Sequence, residues 1–519
     1  MSPRFALPRC FFLLYFFVQS VTFAQDDYSS LLSTPVESTI NREISNIINL
    51  KQNALLNRPN FEYRAEDVEA LYKTNDYAPF WLNSPQSEKN IADVLTLLSN
   101  ALVQGLNADD YSVSLLRQKL PFIQLLKPDS HADLALYDTA LTVSLVRFLH
   151  DVHYGRVNPR SLNFKVKLRT QKGIDLVALI KTALGSSTVS ELGLKAEPNL
   201  QQYRQLREAL AAYRLPVIHT ESQEKPRKKM KKPESNLVRA IKIELAMERL
   251  RWLPEMNSDK AIIVNIPAFQ LWGIDETDPT NSLNLNVVVG KAEKTQTPII
   301  MAEMNSVEFM PYWNVPPSIL KKEIMPKLAN NPSYLAGQNM EVVSLKNGGM
   351  RVRQRPGGKN ALGRLKFIFP NPDGVYLHDT PSKSYFARSR RDFSHGCVRV
   401  QNPSQLAKFV FKNQEGWSEE KLASMLESNQ HRQVSLKTTI PVLFFYSTVF
   451  FEHGDKLTFY NDIYGHDAAL LSALSKISDV PDSALIAPEK PTEPLQVEEM
   501  IPVDSPYFLA PQTTEPLAP

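Results

Sequence analysis

Two short segments of this chain carry residue types that could do chemistry: Tyr376-Leu-His-Asp-Thr-Pro381 and Phe393-Ser-His-Gly-Cys-Val-Arg399. A thiol is a poor nucleophile until it ionises, and a nearby imidazole can take its proton and, once charged, hold the thiolate. Cys397 therefore calls for a histidine, and His378 and His395 are both in reach. Attack on an ester or amide places negative charge on the carbonyl oxygen, which backbone N–H groups must meet. Gly396, beside the nucleophile, lets the main chain approach closely enough to supply them. The rival chemistry is zinc, since two histidines and one cysteine could furnish three ligands, with Asp379 or Asp392 completing the set. The paired Cys or His spacing of such sites is missing here. A papain-type site fails as well, because its cysteine signature is absent and the histidine lies upstream.

The N-terminus explains why one cysteine is informative. Arg4 and Arg9 precede the apolar run Phe11 to Val18, and Val21-Thr-Phe-Ala24 ends in a small residue. That pattern is a secretory signal peptide cleaved after about Ala24. Its apolar run is far below the roughly 20 residues of a spanning helix, and Cys10 precedes the run, so it is not a lipoprotein cysteine. Cleavage removes Cys10 and leaves Cys397 alone outside the cytoplasm, where structural cysteines are normally paired. The formal charge of +4 falls to about +2 without Arg4 and Arg9. Six positive charges sit in Lys225-Pro-Arg-Lys-Lys-Met-Lys-Lys232. Such a balance excludes a nucleic-acid binder, and the basic run reads as a solvated linker.

The elements that must position the site follow from periodicity. Residues 25–61 are polar with scattered Leu and Ile and make at most one or two helices. Residues 62–216 read as a helical domain: Asp67 to Tyr72, Asn90 to Leu102 and Ala132 to Val152 place apolar residues three and four apart, and Gly105 and Gly155 follow as stops. His153 reads as a packing or surface histidine. Residues 217–236 are charged and interrupted by proline, a linker. A helix over Leu237 to Leu253 comes next, and then the period changes. Ala261 to Trp272, Leu283 to Val289, Lys366 to Phe369, Val442 to Phe451 and Leu457 to Tyr460 are β-branched and aromatic runs. Pro317 to about Arg364 interrupts them as a lid over the site. Residues 469–519, rich in Pro and Glu, read as a disordered tail. The fold class is α+β multidomain: a helical N-terminal scaffold domain, then a mainly β catalytic domain with an inserted lid subdomain.

At Ser394-His-Gly-Cys397, with Arg399 after it and His378 before it, the sequence resembles the L,D-transpeptidase family with the YkuD-type catalytic domain. Ile263 to Phe269, Pro311 to Ser318, Asn360 to Phe367 and Tyr385 to Ser389 resemble its large YcbB-like branch of Gram-negative bacteria. One departure is that residues 217–236 are too short for the peptidoglycan-binding module usual in that branch. The resemblance implies Cys397 as nucleophile, His378 as base, and His395 with the Gly396 backbone near the oxyanion. Tyr376, Ser394, Arg399 and Trp313 would shape the site or meet substrate. It also implies peptidoglycan tetrapeptide stems as donor and acceptor, no cofactor, a periplasmic location, reaction with carbapenems, and other cell-wall synthesis proteins as partners. Attachment of a lipoprotein lysine, hydrolysis of the thioester by water, and a non-catalytic envelope scaffold stay open as alternatives.

Overall fold

The computed structural model describes residues 39–476 apart from 62–63, 83–85, 128, 163, 167, 170–172, 215–233, 257, 346–347 and 453–455. The signal peptide, most of the basic linker and the chain after 476 lie outside the described residues. No helix among the described residues is long and apolar enough to cross a membrane.

The helical domain is built around His131–Tyr154, a helix of 24 residues. Its apolar residues run all round the axis, which suits a helix surrounded by others and not one with a solvent face. Positions Ala135 to Leu149 are almost all buried. Helix Thr39–Leu50 packs on it through Ile40, Ile44 and Ile48. The expected separate segment 25–61 is thus corrected: from Thr39 onward its scattered isoleucines fall on one helical face and join the scaffold core. Tyr72 and Trp81 close that core by bonding to Asp138 and Thr142 of the central helix. His153 is buried, with its Nδ1 against the Ala196 carbonyl at 2.9 Å.

Helix Asn236–Trp252, capped by the Ser235 hydroxyl on Val238 N–H, joins the two halves. Its Glu248 accepts from Arg156 and Val157 N–H, and its Arg251 reaches the Gln104 carbonyl and the Tyr203 hydroxyl. Gly155 is needed at this junction. Its φ is +82°, and a Cβ there would stand 2.7 Å from Trp252 Nε1. Tyr203, Leu206 and Leu210, from helix Gln201–Arg214, pack into the core of the β domain.

That domain contains, in chain order, β1 (Lys260–Asn265), β2 (Gln270–Asp275), β3 (Leu283–Gly290), β4 (Ile300–Phe309), β5 (Trp313–Asn314), β6 (Met340–Ser344), β7 (Met350–Gln354), β8 (Leu365–Ile368), β9 (Leu377–His378), β10 (Asp392–Ser394), β11 (Val398–Val400), β12 (Arg432–Phe445), β13 (Val449–Glu452) and β14 (Lys456–Phe459). The main sheet runs β10-β3-β11-β9-β8-β4-β12-β1-β2, and β2 also pairs with β3. The pairings therefore close on themselves, leaving no free edge between β2 and β3. The expected single strand Val442 to Phe451 is broken. After Phe445 the buried Tyr446-Ser447-Thr448 leaves the sheet, and β13 forms a hairpin with β14.

The lid is its own small unit. β5, β7 and β6 form a three-stranded sheet, helical turns from Pro317 to Gly337 cover it, and Val315, Leu320, Ile324 and Val352 are its core. It begins at Trp313, a little before the expected Pro317, because Trp313 pairs with Gln354. At the C-terminal end, His466–Lys476 is a helix whose Leu470 is fully buried. Residues 469–476, expected in the disordered tail, are therefore folded: Leu470 joins the core with Ala473 and Leu474 packed against it, while Leu471 is exposed.

Candidate active site

Parallel strands β9 and β11 pair Val398 with Leu377 and Arg399 with His378. Side chains two apart on a strand share a face, so Tyr376 and His378 lie alongside Cys397 and Arg399, one residue from each strand at each level. This register is what brings the two sequence segments together. Val398 N–H bonds the Tyr376 carbonyl at 3.1 Å and holds the level of Cys397.

The thiol of Cys397 is half-buried and in no disulfide. Burial pushes its pKa up, while hydrogen bonds from the Tyr376 backbone and side chain, then the charges of Lys366 and Arg399, pull it down. Lys366 stands 4.4 Å over the Tyr376 ring and 3.7 Å from Glu308. His378 is buried, its ring 5.6 Å from that of Tyr376. Its Nδ1 lies against the Asp379 backbone carbonyl, so Nδ1 carries the hydrogen and Nε2 is left to accept a proton. Desolvation first, and the Arg399 charge second, lower its pKa to about 3. The resting pair is therefore neutral thiol and neutral imidazole, not the charged pair expected from the residue types alone. The described contacts include no direct hydrogen bond between the two, and the Tyr376 hydroxyl is the thiol's side-chain partner.

Asp379 fixes the carbonyl that orients His378. Its carboxylate accepts from Arg364 N–H at 2.8 Å, Thr380 N–H at 2.7 Å and Lys383 Nζ at 2.6 Å. Gly363, at φ +60°, makes room for it, since a Cβ there would come within 2.3 Å of the carboxylate.

In the nucleophile loop, Gly396 has φ +114°, a conformation that disfavours any side chain. The Ser394 hydroxyl donates to the Cys397 carbonyl and accepts from Gly396 N–H. Among the described hydrogen bonds the Cys397 N–H donates none, which leaves it free for a substrate oxygen.

His395 is placed differently from the expectation. The glycine breaks the two-residue alternation, and the imidazole is exposed, with Nε2 2.6 Å from the Glu323 carboxylate of the lid. Trp313, for which packing is the stronger reading of the sequence and groove lining the weaker, packs on the lid's own core, partly buried, because β5 belongs to the lid sheet. Arg399 lies 5.7 Å over the Tyr385 ring, and its buried Nε has no partner among the described residues. Burial lowers its pKa. No group of three His, Cys, Asp or Glu among the described residues could hold a metal ion.

Residues 259–415 match the YkuD L,D-transpeptidase catalytic domain, and residues 66–210 match the scaffold domain. The chain carries an L,D-transpeptidase catalytic domain joined to a scaffold domain. A Haemophilus influenzae protein, named provisionally as an L,D-transpeptidase, is 25% identical over 415 residues, covering 76% of this chain and 77% of that protein. Within the family's domain, sequence reasoning missed Lys366, Asp379 as an anchor, and Thr297. A lysine inside the apolar strand Leu365–Ile368 was a readable signal for the first. Nothing local marks the other two.

Proposed function

We propose that the protein is a peptidoglycan L,D-transpeptidase of the periplasm that forms 3→3 cross-links through a Cys397 thioester. One observation carries the reading: an unpaired, half-buried thiol stands on the same sheet face as a neutral, oriented histidine, beside a main-chain N–H with no acceptor among the described residues. Attack needs a base without its proton, and His378 with Nε2 free is in that form at neutral pH. Cys397 Sγ would bond to the carbonyl carbon of residue three in a donor tetrapeptide as His378 Nε2 takes the thiol proton. Charge on the carbonyl oxygen meets the Cys397 N–H. The intermediate collapses, the C–N bond breaks, and the amine of the terminal D-alanine leaves with the proton from His378. A side-chain amine of a second stem then attacks the thioester, His378 accepts its proton, and the thiol is restored. The Arg399 guanidinium, whose Nε has no hydrogen-bond partner among the described residues, supports recognition of a substrate carboxylate, which a guanidinium meets with two parallel hydrogen bonds.

The test is D-alanine release from a tetrapeptide stem by the purified protein, with mass spectrometry of Cys397 and of the wall fragments produced. Wild type releases D-alanine, carries the acyl adduct and yields 3→3 dimers. Cys397→Ala does none of these and folds to within ~1 kcal/mol, as only a small side chain is shortened. D-alanine release by Cys397→Ala at the wild-type rate would overturn the proposal. A carbapenem should acylate the same thiol.

A further inference from the structure

Behind the nucleophile loop lies a closed ring of hydrogen bonds that the acyl-transfer scheme does not use. The Thr297 hydroxyl donates to the Gly396 carbonyl at 2.8 Å and accepts from Gly290 N–H at 2.8 Å. The Thr297 N–H donates to the Tyr464 hydroxyl at 3.2 Å, and that hydroxyl donates to the Gly290 carbonyl at 2.6 Å. Thr297 is 1% exposed. Gly290 admits the loop only because it lacks a side chain, since a Cβ would meet the Thr295 carbonyl oxygen at 1.9 Å. Thr295 adds a second tie, its hydroxyl donating to the Ser394 carbonyl at 3.0 Å.

The ring acts on one peptide plane. In a trans peptide the C=O and the following N–H point in opposite directions. Fixing the Gly396 carbonyl inward on Thr297 therefore turns the Cys397 N–H the other way, where it meets no acceptor among the described residues. At φ +114° a glycine has shallow conformational preferences, so without an anchor this plane would rotate easily. Tyr464 lies beyond the matched family domain, which ends at 415. It is held by the Tyr446 hydroxyl on its N–H at 2.9 Å and by stacking on the Tyr446 ring at 5.7 Å.

We propose that Thr297 and Tyr464 are positioning residues that aim the Cys397 N–H at the substrate oxyanion by clamping the Gly396 carbonyl. The inference rests on the transpeptidase reading, and it makes the segment around Tyr464 part of the catalytic apparatus.

The test compares two reactions of the same thiol in the full-length protein. Acylation by the tetrapeptide stem develops an oxyanion, and alkylation by iodoacetamide does not. Thr297→Val, which keeps the shape and removes the hydroxyl, should lower kcat for D-alanine release ~10 to 100-fold, less than the ~100 to 1,000-fold of deleting a donor outright. KM, the alkylation rate and the alkylation pH profile should stay within about twofold. Thr297→Ser should recover most of the loss. Tyr464→Phe, which leaves the threonine in place, should show a smaller loss of the same kind and serves if Thr297→Val does not fold. Unchanged acylation in both variants, or alkylation falling in step with acylation, would overturn the proposal. A wild type that is alkylated but never releases D-alanine would overturn the transpeptidase reading itself.

Discussion

The protonation of the Cys397–His378 pair can be worked from the structure and tested directly. His378 is held at about 3, and Cys397 is pushed above its ordinary 9. Moving the proton from thiol to imidazole spans at least 9 minus 3, which at 1.36 kcal/mol per pH unit is about 8 kcal/mol. Attraction between adjacent opposite charges returns about 4 kcal/mol at an effective dielectric of 20. The charged pair then stays about 4 kcal/mol above the neutral one, on the order of one molecule in a thousand. Iodoacetamide alkylation of the free enzyme should therefore rise about tenfold per pH unit toward pH 9, where hydroxide makes most of the thiolate, and level off at low pH only at about a thousandth of the full thiolate rate, the share of the charged pair. His378→Ala should leave the rise above about pH 7 unchanged, since a neutral imidazole lends the thiolate no charge. It should still slow acylation ~100-fold or more, through loss of the general base, with partial recovery at high pH. A plateau below pH 7 at about a tenth or more of the full thiolate rate, abolished by His378→Ala, would show a preformed ion pair and refute the reasoning.

Glu323→Ala should release the lid from His395 and speed reaction of Cys397 with a bulky maleimide, while changing stability by less than ~1 kcal/mol, because both partners are exposed; an unchanged maleimide rate would show that this contact does not hold the lid. Gly363→Ala should lower unfolding free energy in urea by ~2 kcal/mol or more, since it adds a strained φ to a collision with the Asp379 carboxylate. Stability should fall on acidification from about pH 6.5 toward 4. His150 and His466 are lowered to about 4 and His378 to about 3, each chiefly by burial, so the unfolded chain binds protons in that window that the folded one refuses. Urea midpoints that do not change between pH 7 and 5 would contradict the buried neutral histidines.

Much of this was legible from neighbours in the chain. The signature around Cys397 identified the family, because the chemistry needs His, Gly and Cys at close spacing whatever the surroundings. The change of period after residue 253 marked the passage from helices to strands, whereas the packing of Tyr203, Leu206 and Leu210 into the β domain's core is not readable from the linker's composition. The signature and the period depend on residues a few positions apart, where helix and strand geometry act. Tertiary structure decided the rest. His378 meets Cys397 only through the parallel register of β9 and β11. His395 meets Glu323 across 72 residues, and Tyr464 reaches Gly290 across 174. Trp313 could line a groove or pack in a core as far as its neighbours tell, and its place in the lid core is seen only once its strand pairs with Gln354. The charge state of the site follows the same rule, because residue type sets only a reference pKa. Desolvation by the surrounding core moves it, and no local pattern in the sequence records how deeply His378 is buried.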